Sequence, residues 1–410
     1  MINPYELRKD FPMLDGTKTM QGHKLVFLDN ASTTFKPQCV IDAVTSYLSN
    51  ETANSHRGDY DLCYNADQKI LRTRENVASL INSEPKEVVF TSGTTMSINL
   101  IAYGYAMKFL KSGDEILLNE TEHASDILPW YEVSKKTGAI VKFIPLDDEG
   151  RVTVENLRKV IGKNTKIVAV TMISNVLGYL NDIKEIARVS HEFGAVIAVD
   201  GAQAVPHKKI DVKELDIDFL SFSGHKMCGP TGIGVLFGKY DLLESMDTFI
   251  TGGGMNSKFA VDGSVKYLSA PEKFEAGTLN LEGIWGLDAA VTYLKDIGME
   301  NIDKYEKELR TYAILRLKEV PNIIIYNENA DAGVIAFNIK GVFAQDEATY
   351  LNSKGLALRS GQHCAKILPD FLKTVATVRC SIYFYTTKEE IDYLVDTLKK
   401  GDSFLDAYFA

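Results

Sequence analysis

Positive charge is scarce in this 410-residue chain: 45 lysines and arginines stand against 55 aspartates and glutamates, a formal net charge of −10. No basic stripe concentrates the cations, so neither nucleic acid nor an anionic membrane surface is an expected partner. Cysteine is equally sparse. The five residues Cys39, Cys63, Cys228, Cys364 and Cys380 are odd in number and form no Cys-x-x-Cys pair, which argues against a disulfide framework and a structural zinc site; no metal is expected. Long apolar runs are missing too, and nothing approaches the roughly 18 residues that a membrane helix needs. The opening "MINPYELRKDFPMLDG" has no continuous apolar core of the kind a secretory signal carries. No repeat or low-complexity tract stands out, which excludes a solenoid. The expectation these absences leave is a cytoplasmic globular protein, long enough for one to three domains with a large core.

What is present is an alternation. "EVVFT" (87–91), "DEILL" (114–118), "IVKFI" (140–144), "KIVAVTM" (166–172), "AVIAVD" (195–200), "DFLSFS" (218–223) and "GIGVLF" (232–237) are short β-branched runs separated by helical patterns. Strands apolar at nearly every position are buried on both faces, which predicts a mostly parallel seven-stranded sheet covered by helices, a doubly wound α/β architecture. After the glycine-bearing stretch 251–284 come a polar helix near 300–319, strands "GVIAFNI" (333–339), "LALR" (356–359) and "VRCSIYF" (378–384), and a terminal helix at 388–400. This pattern predicts a smaller α+β domain. The expected division is a large domain over 20–290, a small one over 291–410, and an N-terminal segment 1–19.

Ligands of open α/β sheets bind at the carboxyl ends of the strands, so the residues just after each run are the ones to weigh. "TSGTT" after the first run brings Thr94 and Thr95 to a helix start that favours an anion; taken alone it also reads as a plain N-cap with a glycine turn. "DGAQ" ends another run on Asp200, a carboxylate in apolar surroundings, with Gln203 three residues on. "SFSGHK" ends a third on Ser223, His225 and Lys226. "NETEHASD" places His123 after a fourth, where an imidazole could lie against a ring and relay protons. A phosphate cradle, a carboxylate for a ring nitrogen and a lysine able to form a Schiff base together specify pyridoxal 5′-phosphate.

The stretches "SGHKMCGPTGIGVL", "VDGAQAVPH", "TSGTT", "EAGTLN" and "RSGQHCA", in that order, resemble the class V aminotransferase superfamily, and within it the Suf-type, NifS-like group II cysteine desulfurases. The resemblance runs from "FLDNASTTFKP" near residue 27 to the terminal helix. It implies the fold type I architecture of pyridoxal-phosphate enzymes, with Lys226 holding the cofactor, Asp200 and Gln203 meeting its ring nitrogen and hydroxyl, and His123 stacked on the ring. It places the phosphate on Thr94, Thr95, Ser223 and His225, with Thr278 contributed by the second subunit of a homodimer. It assigns the substrate carboxylate to Arg379, and Asn30, Ala31, Asn175, Arg359 and His56 to the surrounding pocket.

Cys364, in "LALRSGQHCAK", separates this group from ordinary transaminases. Its glycine, polar neighbours and Lys366 suggest an exposed thiol in a positive setting. The resemblance implies that L-cysteine is converted to L-alanine while Cys364 takes the sulfur as a persulfide, with Lys226 moving the α-proton and His123 relaying another, and that the sulfur goes on to an acceptor protein for iron–sulfur cluster assembly. A selenocysteine lyase and a catalytically idle sulfur-relay scaffold of the same fold are the alternatives. Gln362 stands where such enzymes usually have histidine, and "GVFAQDEA" lacks the histidine associated with zinc-bearing acceptors.

Overall fold

A computed structural model describes residues 2–55 and 58–400; His56 lies outside the described residues. All seven runs become strands of one sheet: β1 (Val88–Thr91), β2 (Glu115–Leu118), β3 (Ile140–Phe143), β4 (Thr165–Thr171), β5 (Val196–Asp200), β6 (Phe219–Ser223) and β7 (Gly234–Gly238), in the order β1-β7-β6-β5-β4-β2-β3. β7 is antiparallel to both neighbours, and every other pairing is parallel. Six carboxyl ends therefore emerge on one edge, while β7 alone runs the other way.

The two-sided burial follows from the period of two. Leu117, Val168, Val170 and Val199 face one core, while Ile116, Leu118, Ile167, Ala169 and Ala198 face the other. Burying each of the valine, leucine and isoleucine side chains contributes about 1.5–3 kcal/mol. Helices Asp61–Ile81 and Leu281–Ile297 complete the first layer, and Leu128–Thr137, with Trp130 fully buried, lies in the second. Arg74 and Glu275 form a buried bidentate pair, both bonds at 2.8 Å, and Glu275 also accepts from the Phe90 N–H, which ties the first layer to β1.

The smaller sheet is antiparallel throughout: β8 (Ile323–Ile325), β9 (Val334–Ile339), β10 (Arg359–Gly361) and β11 (Thr377–Ser381), in the order β8-β9-β11-β10. Helices Met299–Leu317, Ala344–Ser353 and Lys388–Lys399 supply its core partners. The expected strand 356–359 is divided. Leu356–Ala357 pairs in parallel with Val26–Phe27, and Arg359 begins a different pairing with β11, so the chain changes sheets at Leu358. The expected strand 378–384 stops at Ser381, because Tyr383, Phe384 and Tyr385 leave the sheet to pack with Phe11 in the larger core. Residue 290 falls inside the continuous helix Leu281–Ile297. No helix among the described residues is long and apolar enough to cross a membrane.

Candidate active site

The carboxyl edge of the large sheet and the small lobe enclose a cavity of about 240 Å³. Strand register sets its floor. Thr171 and Asp200 are neighbours at the ends of β4 and β5, and Asp200 pairs with Ser221 two residues before the end of β6. The chain after β6 turns through a 3₁₀ segment, Gly224–Lys226, that brings the Lys226 side chain to the cavity. Beside it, Gly93 at φ +146° lets the chain turn into the helix starting at Thr94; a Cβ there would stand 3.2 Å from Ser223 Oγ. Gly234 on β7 is required for the same approach, since its Cβ would lie 2.5 Å from Gly93 Cα.

Hydroxyls gather at that turn. Ser223 Oγ accepts from the Thr94 N–H at 2.9 Å and shares a hydrogen bond with Thr94 Oγ1 at 2.8 Å, and Thr95 Oγ1 pairs with Ser125 Oγ at 2.8 Å. His123 Nδ1 accepts from the Ser125 N–H at 3.1 Å, which puts the proton of the neutral ring on Nε2. Burial, then the nearby Lys226 charge, holds His123 below its ordinary pKa, while Asp200 opposes the shift. Burial lowers the Lys226 amine as well, against the pull of Asp200. His225 is pushed down to about 4 by burial, with Lys226 and Lys36 adding to it. The His225 carbonyl is held from one side by Thr33 Oγ1 at 3.0 Å, the Thr34 N–H at 3.1 Å and Lys36 Nζ at 3.2 Å, which fixes the segment that carries Lys226.

Two polar groups of the floor are incompletely satisfied. Asp200 is 5% exposed and accepts only from the Ala202 N–H, at 2.8 Å, with no cationic side chain paired to it among the described residues. Gln203 donates to the Ala31 carbonyl at 2.6 Å, but its Oε1 is buried without a partner among the described residues. Buried polar groups without partners are rare in folded chains.

The small lobe supplies the opposite wall. Arg379 on β11 is 2% exposed and donates to the Asn175 carbonyl at 3.0 Å, to Asp29 Oδ1 at 2.9 Å and to Ser32 Oγ at 2.6 Å, while its Nε has no partner among the described residues. Arg359 reaches the other oxygen of Asp29 at 3.1 Å. One carboxylate thus faces two guanidinium groups, and the wall keeps a positive excess suited to a carboxylate ligand. Cys364 is exposed into the cavity from a turn in which His363 and Cys364 both have positive φ, +51° and +60°. Non-glycine residues adopt that conformation only under constraint. The constraints are visible: Asn175 Nδ2 donates to the His363 carbonyl at 2.9 Å, the Ala124 N–H donates to the Cys364 carbonyl at 2.7 Å, and His363 Nε2 bonds Thr377 Oγ1 at 2.9 Å.

Of the residues singled out from sequence, Ala31, Thr94, Thr95, His123, Asn175, Asp200, Gln203, Ser223, His225, Lys226, Arg359, Cys364 and Arg379 line this one cavity. Asn30 does not. It is 1% exposed, donates to the Ser381 carbonyl at 2.8 Å and accepts from Tyr385 OH, so its amide is spent on joining the lobes. Thr278 lies exposed at a second cavity of about 250 Å³, with Phe90, Met96 and Phe274. Sequence reasoning missed Asp29, Ser32, Ser125 and His363. Asp29 and Ser32 lie within the quoted "FLDNASTTFKP", on either side of Asn30 and Ala31, Ser125 lies within "NETEHASD", and His363 precedes the cysteine, so proximity to motif residues was the available signal.

The family described as class V aminotransferases matches residues 26–394. A probable cysteine desulfurase of Halalkalibacterium halodurans is 44% identical over 409 residues, covering all of both chains. The crystal structure of the cysteine desulfurase CsdA from Escherichia coli, in an S-sulfonic acid form, superposes with a TM-score of 0.91 at 38% identity over 99% of each chain. The apo cysteine desulfurase of Thermococcus onnurineus does so with a TM-score of 0.92 at 35% identity over 98% of each. With a mixed seven-stranded sheet, a cavity at its carboxyl edge and relatives that match along its whole length, this chain belongs to the class V aminotransferase family, among its cysteine desulfurases.

Proposed function

We propose that the cavity holds pyridoxal 5′-phosphate and that Cys364 takes the sulfur of L-cysteine, releasing L-alanine. The observation that supports this reading is that Lys226, Asp200 and Cys364 line one cavity of about 240 Å³. The residues fit the cofactor by chemistry. An unpaired buried carboxylate suits a protonated ring nitrogen, the unpartnered Gln203 Oε1 suits a ring hydroxyl, and Thr94, Thr95, Ser223 and His225 offer donors to a phosphate. When bound, the cofactor supplies an electron sink for the charge left at the substrate α-carbon.

The chain's own groups do the rest. Arg379, with Arg359, orients the substrate carboxylate. The Lys226 amine, its pKa lowered by burial, accepts the α-proton. The Cys364 thiolate attacks the substrate sulfur, so that the Cβ–S bond breaks and a sulfur–sulfur bond forms. His123, with its proton on Nε2, is placed to supply a proton on the cavity side. The net change is L-cysteine plus Cys364 thiol giving L-alanine plus Cys364 persulfide, which balances without an added oxidant. A homodimer in which Thr278 of one subunit completes the phosphate site of the other, and a protein that accepts the sulfur for iron–sulfur cluster assembly, belong to the same reading.

The test is turnover of L-cysteine by cofactor-loaded protein with dithiothreitol present, comparing wild type with Cys364→Ala. Equal yields of alanine and sulfide, both lost in the variant while the visible absorbance of the bound cofactor persists, are expected. Alanine release indifferent to Cys364 would refute the assignment.

A further inference from the structure

Behind His123 lie two carboxyl groups that the reaction does not use. Glu122 and Asp126 sit on the turn after β2 and are 0% and 1% exposed. One oxygen of each is satisfied: Glu122 Oε1 accepts from the Thr171 N–H at 2.7 Å and from Asn119 Nδ2, and Asp126 Oδ1 accepts from Trp130 Nε1 at 2.8 Å. The other oxygens, Glu122 Oε2 and Asp126 Oδ2, are sealed from solvent and receive no N–H or O–H from the described residues. The two carboxyls share one turn and act on each other electrostatically. Ionised carboxylates only accept, so a bond between the two free oxygens needs a proton on one of them.

We propose that Glu122 and Asp126 form an acid–carboxylate pair sharing one proton, and that this pair positions the turn on which both His123 and the Cys364 loop depend. Two charges in so dry a place cannot both persist. Burial raises both groups well above the carboxylate range, and Asp200 at the end of β5 adds to this. Lys226 and Arg379 act on His123, on the same turn, and pair with neither carboxyl. The turn is tied together by the Asp126 N–H to the His123 carbonyl at 2.7 Å, and its Ala124 N–H holds the Cys364 carbonyl. Asp126 and Glu122 are thus positioning residues. Their role toward His123 and Cys364 rests on the functional reading above; the shared proton does not.

Because the pair binds its proton more tightly in the folded chain than in the unfolded one, the stabilisation is complete below the ordinary carboxylate range. It is lost as pH rises through the pair's own titration. Asp126→Asn and Glu122→Gln each replace the shared proton by an amide donor and remove that dependence.

The experiment uses the full-length chain without substrate. Wild type minus Asp126→Asn should show the infrared carbonyl band of a protonated carboxyl at pH 7, and so should wild type minus Glu122→Gln. Melting temperature followed from pH 6 to alkaline pH should fall more steeply in wild type than in either amide variant. Absence of the band, parallel melting profiles, or failure of both amide variants to fold would each overturn the shared proton. With L-cysteine, Asp126→Ala should lose about 10²-fold in turnover through misplacement of the turn, with Asp126→Asn restoring most of it. Equal losses in both variants would overturn the positioning role while leaving the infrared result standing. Loss of all turnover in wild type, by contrast, would strike the functional reading alone.

Discussion

The two walls of the cavity are built differently. The sheet wall presents Asp200, Ser223 and Lys226 from strand ends whose register is fixed by parallel pairing; its positive φ falls on Gly93, the residue type that tolerates it, and on the single non-glycine Cys228 at +64°. The small-lobe wall presents Cys364 from a turn with two consecutive positive-φ residues, neither of them glycine, held by side chains of other elements. One wall is set by the sheet, the other by a handful of hydrogen bonds. In the proposed reaction the chemistry divides along the same line: proton movement at the amine needs a rigid seat, whereas the thiol must meet the substrate sulfur and then give it away.

Substitutions on each wall should therefore fail differently. On the sheet wall, Lys226→Ala removes the proposed proton acceptor, and alanine release from L-cysteine should fall by about 10⁴-fold, with the melting profile of the cofactor-free chain little changed. A loss below tenfold would mean that another group does this work. On the opposite wall, Asp29→Ala leaves Arg379 buried beside Arg359 without a counter-charge. Chemical denaturation should register a cost of about 3 kcal/mol, a stability effect that has no counterpart at Lys226.

His363 sharpens the contrast through pH. Burial, with Arg379 adding, depresses its pKa to about 3, far below that of the free side chain, while Thr377 opposes the shift. Stability from this group is present above the ordinary histidine range and is lost as pH falls toward 3. Between pH 7 and 5 the wild type should lose about 2 kcal/mol from this source, and His363→Gln should not; identical acid limbs in urea titrations would contradict the assignment. The smallest effect belongs to Asn175→Ala, which removes one buried hydrogen bond to the His363 carbonyl at a cost of about 1 kcal/mol. Its signature is a slower sulfur transfer to Cys364 with Lys226 chemistry intact.

This division also explains what could be read from the sequence. Six of the seven runs of the large sheet are buried on both faces, which is why their apolar pattern is legible, whereas the edge strand β3 leaves Ile140 49% exposed. Lys226, Asp200 and His123 follow from lying at the carboxyl end of a strand or within a few residues of it. Asn30 could not be placed this way: its motif sits beside the cavity, but contacts with Ser381 and Tyr385, more than 350 positions away, turn its amide into the join between lobes. The conformation of Cys364 was hidden for the same reason, since Asn175, Ala124 and Thr377 act on its turn from three separate elements. The single proton between Glu122 and Asp126 depends on two side chains meeting across a turn, which spacing alone does not reveal.

The central claim is that the amine of one wall and the thiol of the other serve one reaction. It is tested most directly by treating the cofactor-loaded protein with L-cysteine in the absence of reductant and locating the added sulfur by peptide mass spectrometry. The account predicts one extra sulfur atom on the peptide carrying Cys364, absent from Lys226→Ala. Sulfur on Cys39, or on no cysteine while alanine still forms, would contradict it.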